Sequence, residues 1–334
     1  MVNNTAGTQH TIAGIDLGDT ELAATVCTAL ADVEKLLGRV TEDLDTLLQH
    51  PAPHRTETGG VRFRPLFTLL AGQFGPWSAD PAVLSAAAVA ELVHLATLYH
   101  GDVRDQAPEH RAASSTTLHR GNDIAILTGD YLSAHASRLA ATLGPKATRI
   151  VAETFAAVVT GQVREKRSAQ SPNTVEHYLQ VVAEKTGSSI GACCRLGGMF
   201  SGASHDHVEL LARFGAAAGT AVQISEDIVS TSSVSGRYGT DLRKLMHTLP
   251  MVYALREEGA TGAELRELLI RPVESGAEVE EALELLSRSR GMASAKEVLR
   301  AYADVADAEL SALPCGFATD ALRRFVRYFV ERVE

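Results

Sequence analysis

The 334-residue sequence is poor in cysteine, in long apolar runs and in strand-like alternation. Its four cysteines, Cys27, Cys193, Cys194 and Cys315, fit no zinc-ligand spacing, and two of them are adjacent, which is a poor basis for a disulfide framework. We therefore expect reduced thiols that are buried on helices. No apolar run reaches about 18 residues, and no basic-then-apolar signal segment is present. These features predict a cytoplasmic protein without stable membrane insertion.

Positive charge is also in short supply. Lys and Arg number 31 against 41 Asp and Glu, which gives a formal net charge of −10. Because an acidic surface repels phosphate backbones, nucleic-acid binding is excluded as the main role. A small basic pocket for a phosphorylated metabolite remains compatible with this balance.

Helical periodicity, by contrast, runs through nearly the whole chain. Leu92, Leu95, Ala96 and Tyr99 stand at i, i+3, i+4 and i+7, and the same pattern recurs near residues 132–143, 175–182 and 322–329. Pro and Gly divide the helices, and no linker or solenoid repeat is evident. The sequence predicts a disordered segment 1–12 followed by a single all-α domain, 13–334, with about ten to thirteen helices around an apolar cavity.

Two of the predicted helices end in carboxylates. The first ends with Asp102 and Asp105, which share a helix face, and the second reaches Glu226 and Asp227 about 120 residues later. Magnesium prefers carboxylate oxygens and keeps water and substrate phosphates as its other ligands. We therefore expect the two helix ends to face each other and to hold magnesium over a bound diphosphate.

Basic side chains accompany these segments, and guanidinium and ammonium groups bind phosphate oxygens. They are Arg62 and Arg64 after the Gly59-Gly60 turn, Arg111 after the first acidic site, Lys185 in an interrupted helix, and Arg237 and Arg243 after the second acidic site. Their placement next to turns and motif ends favours one shared pocket.

The same segments resemble the trans-isoprenyl diphosphate synthases, the polyprenyl synthetase family, from about residue 55 onward. The matching motifs are Gly59-Gly60 with Arg64-Pro65, residues 94–100, Gly129-Asp130-Tyr131-Leu132, Lys185-Thr186-Gly187, Gln223-Ile224 and Gly239-Thr240-Asp241-Leu242-Arg243. The resemblance implies the isoprenoid-synthase helical bundle. It also implies magnesium-dependent joining of an allylic diphosphate to isopentenyl diphosphate, in a dimer.

The resemblance also assigns roles to individual residues. The isopentenyl diphosphate side comprises Arg64, His94 and Arg111; the allylic diphosphate side comprises Lys185, Thr186, Gln223 and Arg237; the metal ligands are Asp102, Asp105, Glu226 and Asp227. Lys185 and the four acidic residues are the ones expected to carry catalysis.

The sequence departs from the family at several of these motifs. Gly101 replaces the leading aspartate of the first DDxxD motif, Ser230 the last of the second, and Val61 a diphosphate-binding lysine. His110 replaces the first arginine of a pair, and Glu226 keeps the acidic charge on a longer side chain.

Three functions are compatible with these departures. The first is a divergent all-trans prenyltransferase. The second is a terpene synthase that ionises and cyclises one allylic diphosphate and needs no isopentenyl diphosphate. The third is a catalytically degenerate subunit that forms a heterodimer with an active paralogue.

Product length is not fixed by the sequence. By resemblance, bulky residues four and five positions before the first acidic motif close the product cavity, and here these positions hold Thr97 and Ala96. Both are small, so this floor is expected to be open, although Tyr99 or Phe155 could close it.

Overall fold

The computed structural model describes residues 11–12, 14–48, 62–104, 116–168, 174–231, 248–269, 273 and 275–333. Over these ranges the chain is helical apart from one hairpin, in which β1 (Thr11–Ile12) pairs antiparallel with β2 (Ile15–Asp16). The predicted all-α class is therefore confirmed. Thr11 and Ile12, predicted as the end of a frayed segment, are paired in this hairpin, and residues 1–10 lie outside the described ranges.

The helices have the following bounds: α1 (Thr20–Leu48), α2 (Phe63–Gly72), α3 (Pro81–Arg104), α4 (Thr116–Thr142), α5 (Pro145–Ser168), α6 (Val175–Val182), a π-helical turn (Ala183–Gly187), α7 (Ser188–Phe200), α8 (His205–Thr231), α9 (Leu249–Arg256), α10 (Ala260–Leu268), α11 (Gly276–Arg288), α12 (Gly291–Ser311) and α13 (Phe317–Glu331).

The predicted helix boundaries are confirmed where Pro and Gly punctuate the sequence. Pro81 begins α3, and Gly144, with a φ of 95°, separates α4 from α5. Thr174 caps α6, because its hydroxyl accepts a hydrogen bond from the backbone N–H of His177 at 3.1 Å.

Residue contacts divide the chain into two compact units. Unit 1 comprises Met1–Ala156, Ser189–Gly215 and Glu309–Phe325, and unit 2 comprises Ala157–Ser188, Ala216–Ala308 and Val326–Glu334. Several helices, α8 among them, contribute residues to both units. The single-domain organisation stays a prediction.

An aromatic cluster lies in the core of unit 1. The rings of Phe67 and Phe325 meet edge to face with centroids 4.5 Å apart, and Phe214 lies 6.3 Å from Phe67. All three side chains are fully buried, and edge-to-face pairs add stability beyond the area they bury. A Cβ at Gly197 on α7 would lie 2.1 Å from the carbonyl oxygen of Thr68, so glycine is required for the approach of α7 to α2.

Helix α3 is the most apolar long helix of unit 1. In the described part of the chain, its segment Pro81–Gly101 is the one stretch long and apolar enough to cross a membrane. In an 18-residue apolar window of this stretch, 61% of the residues are buried inside the fold. Leu92, Leu95, Ala96 and Tyr99 are buried, as the helical stripe predicts.

The described residues of unit 2 include two apolar clusters. One joins Tyr178 on α6 with Ile224 and Ile228 on α8 and Leu299 on α12. The other holds α9, α10 and α11 together through buried aliphatic side chains such as Leu265. Since Ile224 and Ile228 flank Glu226 and Asp227, this packing fixes the part of α8 that carries the second acidic motif.

The cysteines divide into two pairs. Cys193 and Cys194 are buried on α7, and burial raises the pKa of Cys193 to about 12. Cys27 and Cys315 are exposed, so the prediction of four buried thiols is wrong for these two. Cys27 follows the buried Val26 and points away from the core because successive helical residues turn by about 100°. Cys315 lies between α12 and α13.

We expect a disulfide reagent such as DTNB at pH 8 to modify two thiols of the native protein and all four after unfolding. Only thiolates react, and a pKa of about 12 leaves roughly one Cys193 in 10,000 ionised at that pH. Desolvation also raises the pKa of Cys27, so its thiol should react more slowly than its exposure alone suggests. Cys27→Ser and Cys315→Ser variants assign the two phases. A native Cys193→Ser variant that lost a fast phase would contradict the described burial.

Candidate active site

A π-helical turn carries two of the predicted substrate-binding residues of unit 2. The N–H of Ser188 bonds to the carbonyl of Ala183, five residues earlier, and Lys185 and Thr186 lie within this turn. Such turns are frequent at functional sites because the extra residue redirects side chains. The predicted interruption of the helix at Lys185 is thus confirmed.

Two glycines allow neighbouring helices to approach this turn closely. A Cβ at Gly161 on α5 would lie 2.8 Å from Cγ of Lys185, and one at Gly187 would lie 2.9 Å from the hydroxyl of Thr220 on α8. Both distances are shorter than real Cβ contacts, so a larger residue at either position would displace the turn.

Two ion pairs connect the turn to α5. Nζ of Lys185 contacts both carboxylate oxygens of Glu165 at 2.7 and 2.8 Å. Arg164 donates to both oxygens of Glu184 at 2.9 and 3.0 Å. Lys185 and Glu165 are each about three-quarters buried, so this pair is better shielded from water than a surface pair. The ammonium of Lys185 is therefore held in a fixed position by Glu165.

A chain of hydrogen bonds connects Thr186 to the second acidic motif. The Thr186 hydroxyl donates to Oε1 of Gln223 at 3.0 Å, and Nε2 of Gln223 donates to Oδ1 of Asp227 at 2.9 Å. Oδ2 of Asp227 accepts the hydroxyl of Tyr178 at 2.6 Å. Both oxygens of Asp227 thus accept hydrogen bonds from protein donors, which fixes the orientation of its carboxylate.

The phenol of Tyr178 remains protonated over a wide pH range. Burial, and then the negative charge of Asp227, raise the pKa of Tyr178 well above its usual value. It therefore stays a hydrogen-bond donor to Asp227 at any physiological pH.

Glu226 has a different environment from its neighbour Asp227. Its Oε1 accepts a hydrogen bond from Nη2 of Arg332 at 2.8 Å, and Nε of Arg332 donates to the hydroxyl of Ser225 at 2.9 Å. The Ser225 hydroxyl in turn donates to the carbonyl of Phe329 at 2.6 Å. The guanidinium carbon of Arg332 lies 4.4 Å from the ring centroid of Phe329. Arg332 is therefore held by several contacts at once.

In unit 1, Arg64 is the central basic residue. Its Nε donates to the hydroxyl of Ser189 at 2.9 Å, which sets the plane of the guanidinium group. Burial lowers the pKa of Arg64, while the charge of Glu91 partly offsets this effect. Because arginine remains charged at any physiological pH, Arg64 is a permanent, partly buried cation. His94 lies three residues after Glu91 on α3 and is partly buried.

Arg62 forms a second basic group beside Arg64. Its Nη1 donates to the buried Glu91 at 2.7 Å, and its Nε pairs with Glu34 on α1. Within the described ranges, Nη2 of Arg62 is a buried donor without a hydrogen-bond partner. These pairs fix the start of α2 next to α1 and α3.

The remaining predicted site residues stay predictions. Asp105, Arg111 and Arg237 lie outside the described residues, as do Val61 and His110, and nothing is described of the side chain of Asp102. Consequently, that the two acidic helix ends face each other stays a prediction. Among the described residues, no group of three or more acidic, histidine or cysteine side chains is arranged to hold a metal ion.

The Polyprenyl synthetase family model matches residues 45–286, most of the chain. The chain belongs to the polyprenyl synthetase family. It is 52% identical over 326 residues to a nonaprenyl diphosphate synthase of Mycobacterium tuberculosis (strain ATCC 25618 / H37Rv), covering 96% of this chain and 97% of the relative. It is 31% identical over 309 residues to heptaprenyl diphosphate synthase component 2 of Geobacillus stearothermophilus, covering 91% and 95%.

Solved structures agree with this assignment. The crystal structure of geranylgeranyl pyrophosphate synthase from Corynebacterium glutamicum, complexed with calcium and isoprenyl diphosphate, is similar with a TM-score of 0.84. It is 42% identical and covers 95% of this chain and 98% of its own. The predicted resemblance is confirmed, and the chain is an enzyme of the all-trans prenyltransferase class.

Several residues of the described site were not predicted from the sequence, among them Tyr178, Glu165, Ser225 and Arg332. Tyr178 stands in the apolar stripe of α6, and this pattern predicts a buried ring without indicating a partner for its hydroxyl. Glu165 and Arg332 reach their partners only through tertiary packing. A polar residue such as Ser225, placed directly before an acidic motif on an apolar helix, is the one signal that could have been used.

Replacing Tyr178 by Phe should lower the free energy of unfolding by about 1.5–3 kcal/mol, because a hydrogen bond to a charged acceptor is lost in a buried position. Urea unfolding at pH 7 measures the change. Tyr302→Phe, in the same unit, is the matched control and should stay within about 0.5 kcal/mol of wild type. Equal stability of the two variants would show that the Tyr178 hydroxyl contributes nothing through Asp227.

Proposed function

We propose that this chain joins an allylic diphosphate to isopentenyl diphosphate and releases a longer all-trans prenyl diphosphate. The observation that carries the proposal is the hydrogen-bonded line from Thr186 through Gln223 to Asp227, with Lys185 at one end and Glu226 at the other. This chain of residues suits a diphosphate that is bound by hydrogen-bond donors at one end and by a divalent ion at the other. Membership of the polyprenyl synthetase family supports this assignment.

Lys185 and Thr186 bind the allylic diphosphate in this proposal. An ammonium group has three donors, so Lys185 can contact phosphate oxygens while it retains Glu165, or exchange Glu165 for the more highly charged diphosphate. Oε1 of Gln223 accepts a hydrogen bond from the Thr186 hydroxyl and so fixes the direction of the lone pairs on the hydroxyl oxygen. Arg64 and His94 are the residues of unit 1 assigned to isopentenyl diphosphate.

A divalent ion fits the second acidic motif through Glu226. The side chain of Glu226 is about one-third exposed, whereas both oxygens of Asp227 are already engaged. One carboxylate is a sufficient protein ligand for magnesium, because this ion keeps waters and substrate phosphates in its coordination shell. When bound, Mg²⁺ neutralises charge on the departing diphosphate. The Corynebacterium glutamicum structure, which is complexed with calcium and isoprenyl diphosphate, supports the use of a divalent ion.

The reaction balances without a further reactant. The carbon–oxygen bond of the allylic diphosphate breaks, and the electron pair leaves with the diphosphate. The double bond of isopentenyl diphosphate supplies the electrons of the new carbon–carbon bond. The released diphosphate then accepts a proton from the adjacent carbon, and the electrons of that carbon–hydrogen bond form the new double bond. Apolar surroundings that exclude water protect such a carbocation until it reacts.

The decisive experiment incubates purified protein, Mg²⁺ and labelled isopentenyl diphosphate with geranyl, farnesyl or geranylgeranyl diphosphate, and each allylic diphosphate alone. Elongated products in the first set support the proposal. Cyclised or rearranged products from a single allylic diphosphate would contradict it. No product in any mixture would indicate that a second chain is required, an arrangement that the component name of the Geobacillus stearothermophilus relative suggests.

Lys185→Met should reduce kcat/KM for the allylic substrate by about 100-fold, since a donor aimed at the leaving diphosphate is lost. The same steady-state assay measures this change. Lys146→Met, at an exposed position on α5, is the matched control and should retain wild-type kinetics. An unchanged kcat/KM for Lys185→Met would exclude Lys185 from the allylic site.

Product length should depend on Thr97. This residue is buried and small, and its hydroxyl donates to the carbonyl of His94 at 2.7 Å. Thr97→Phe should shorten the product, because the larger ring occupies space that a growing chain would need. Chromatography of the dephosphorylated products measures the length. Thr97→Val keeps the volume and should leave the length unchanged; identical products from all three proteins would contradict the expectation.

A further inference from the structure

Arg332 neutralises the carboxylate that the proposed metal would use. Its Nη2 lies 2.8 Å from Oε1 of Glu226, and only about one-fifth of the Arg332 side chain is exposed. A partly buried guanidinium–carboxylate pair is screened less by solvent than a surface pair. In the structure described here, Glu226 therefore already has a cation beside it.

The position of Arg332 is fixed independently of Glu226. Nε donates to the Ser225 hydroxyl, the guanidinium lies over the ring of Phe329, and the backbone N–H bonds to the carbonyl of Tyr328 at 3.2 Å. Ser225 is itself fully buried and tied to α13. The guanidinium thus cannot swing away from Glu226 without losing its contacts with Ser225 and Phe329.

We propose that Arg332 acts as a built-in counter-cation of Glu226 and raises the divalent-metal concentration at which this site loads. The inference rests on the proposed function, in which Glu226 is a metal ligand. A glutamate has two oxygens, so the ion and the guanidinium can share it, but the two cations then lie within about 5 Å of each other. Their repulsion at that distance, even in a water-like dielectric, corresponds to roughly tenfold in affinity.

Arg332 also favours metal binding, because it holds the long Glu226 side chain in one orientation. This effect on affinity is smaller than that of the charge repulsion. Fixing one side chain saves part of its rotamer entropy, which corresponds to only a few-fold in affinity. The charge effect therefore decides the sign: removal of Arg332 should tighten metal binding.

The test measures binding of Mn²⁺ by electron paramagnetic resonance, in the presence of inorganic diphosphate, so that no turnover is needed. Arg332→Met should bind Mn²⁺ about tenfold more tightly than wild type. Arg288→Met removes an exposed arginine that pairs with Glu284 in the same unit, and should leave the affinity unchanged. A circular-dichroism melt checks that each variant is folded.

A double substitution shows whether the effect passes through Glu226. In a Glu226→Gln background, the additional Arg332→Met change should produce no gain in Mn²⁺ affinity. A gain that persists there, or equal affinity of wild type and Arg332→Met, would overturn the counter-cation role. Absence of Mn²⁺ binding in wild type and in every variant would instead overturn the metal-assisted function, and the counter-cation role with it.

Discussion

The arrangement of the site residues in unit 2 depends on the close packing of the π-helical turn 183–187. The π-helical turn 183–187 presents Lys185 and Thr186 because it departs from α-helical spacing, and such a departure persists only when neighbouring elements hold it. Gly161 and Gly187 provide the space for this, since neither position accommodates a Cβ. The ion pairs with α5 and the hydrogen bond to Gln223 then stabilise the turn from both sides.

The second acidic motif separates two tasks between adjacent residues. Asp227 is bound by Tyr178 and Gln223 and so belongs to the internal network, while Glu226 is partly exposed and paired with the guanidinium group of Arg332. Neighbouring positions on a helix point about 100° apart, which is why one carboxylate can be enclosed by protein donors while the next is partly exposed. The side chain of Glu226 is also longer than that of Asp227, so its carboxylate lies further from the helix axis.

Much of the fold was predictable, because helical periodicity and Pro and Gly breaks are local signals. The stripe of α3, the cap at Thr174 and the interruption at Lys185 all follow from residues close together in the chain. The pairing of Glu165 with Lys185 spans 20 residues, and that of Arg332 with Glu226 spans 106. Such contacts arise from packing between helices, which no local pattern encodes. Whether Cys27 is exposed depends on which face of α1 is buried. A shift of the buried face by one residue along the sequence would change the result.

The two ion pairs beside the π-helical turn determine how the turn aligns with α5. Arg164 and Glu165 are neighbours with opposite charges, and so are their partners Glu184 and Lys185. Sliding the turn along α5 by one position would bring Arg164 against Lys185, or Glu165 against Glu184, and each such encounter is repulsive. The alternation of sign thus distinguishes the native register from its nearest errors, so that a turn with unusual spacing still settles in a single place.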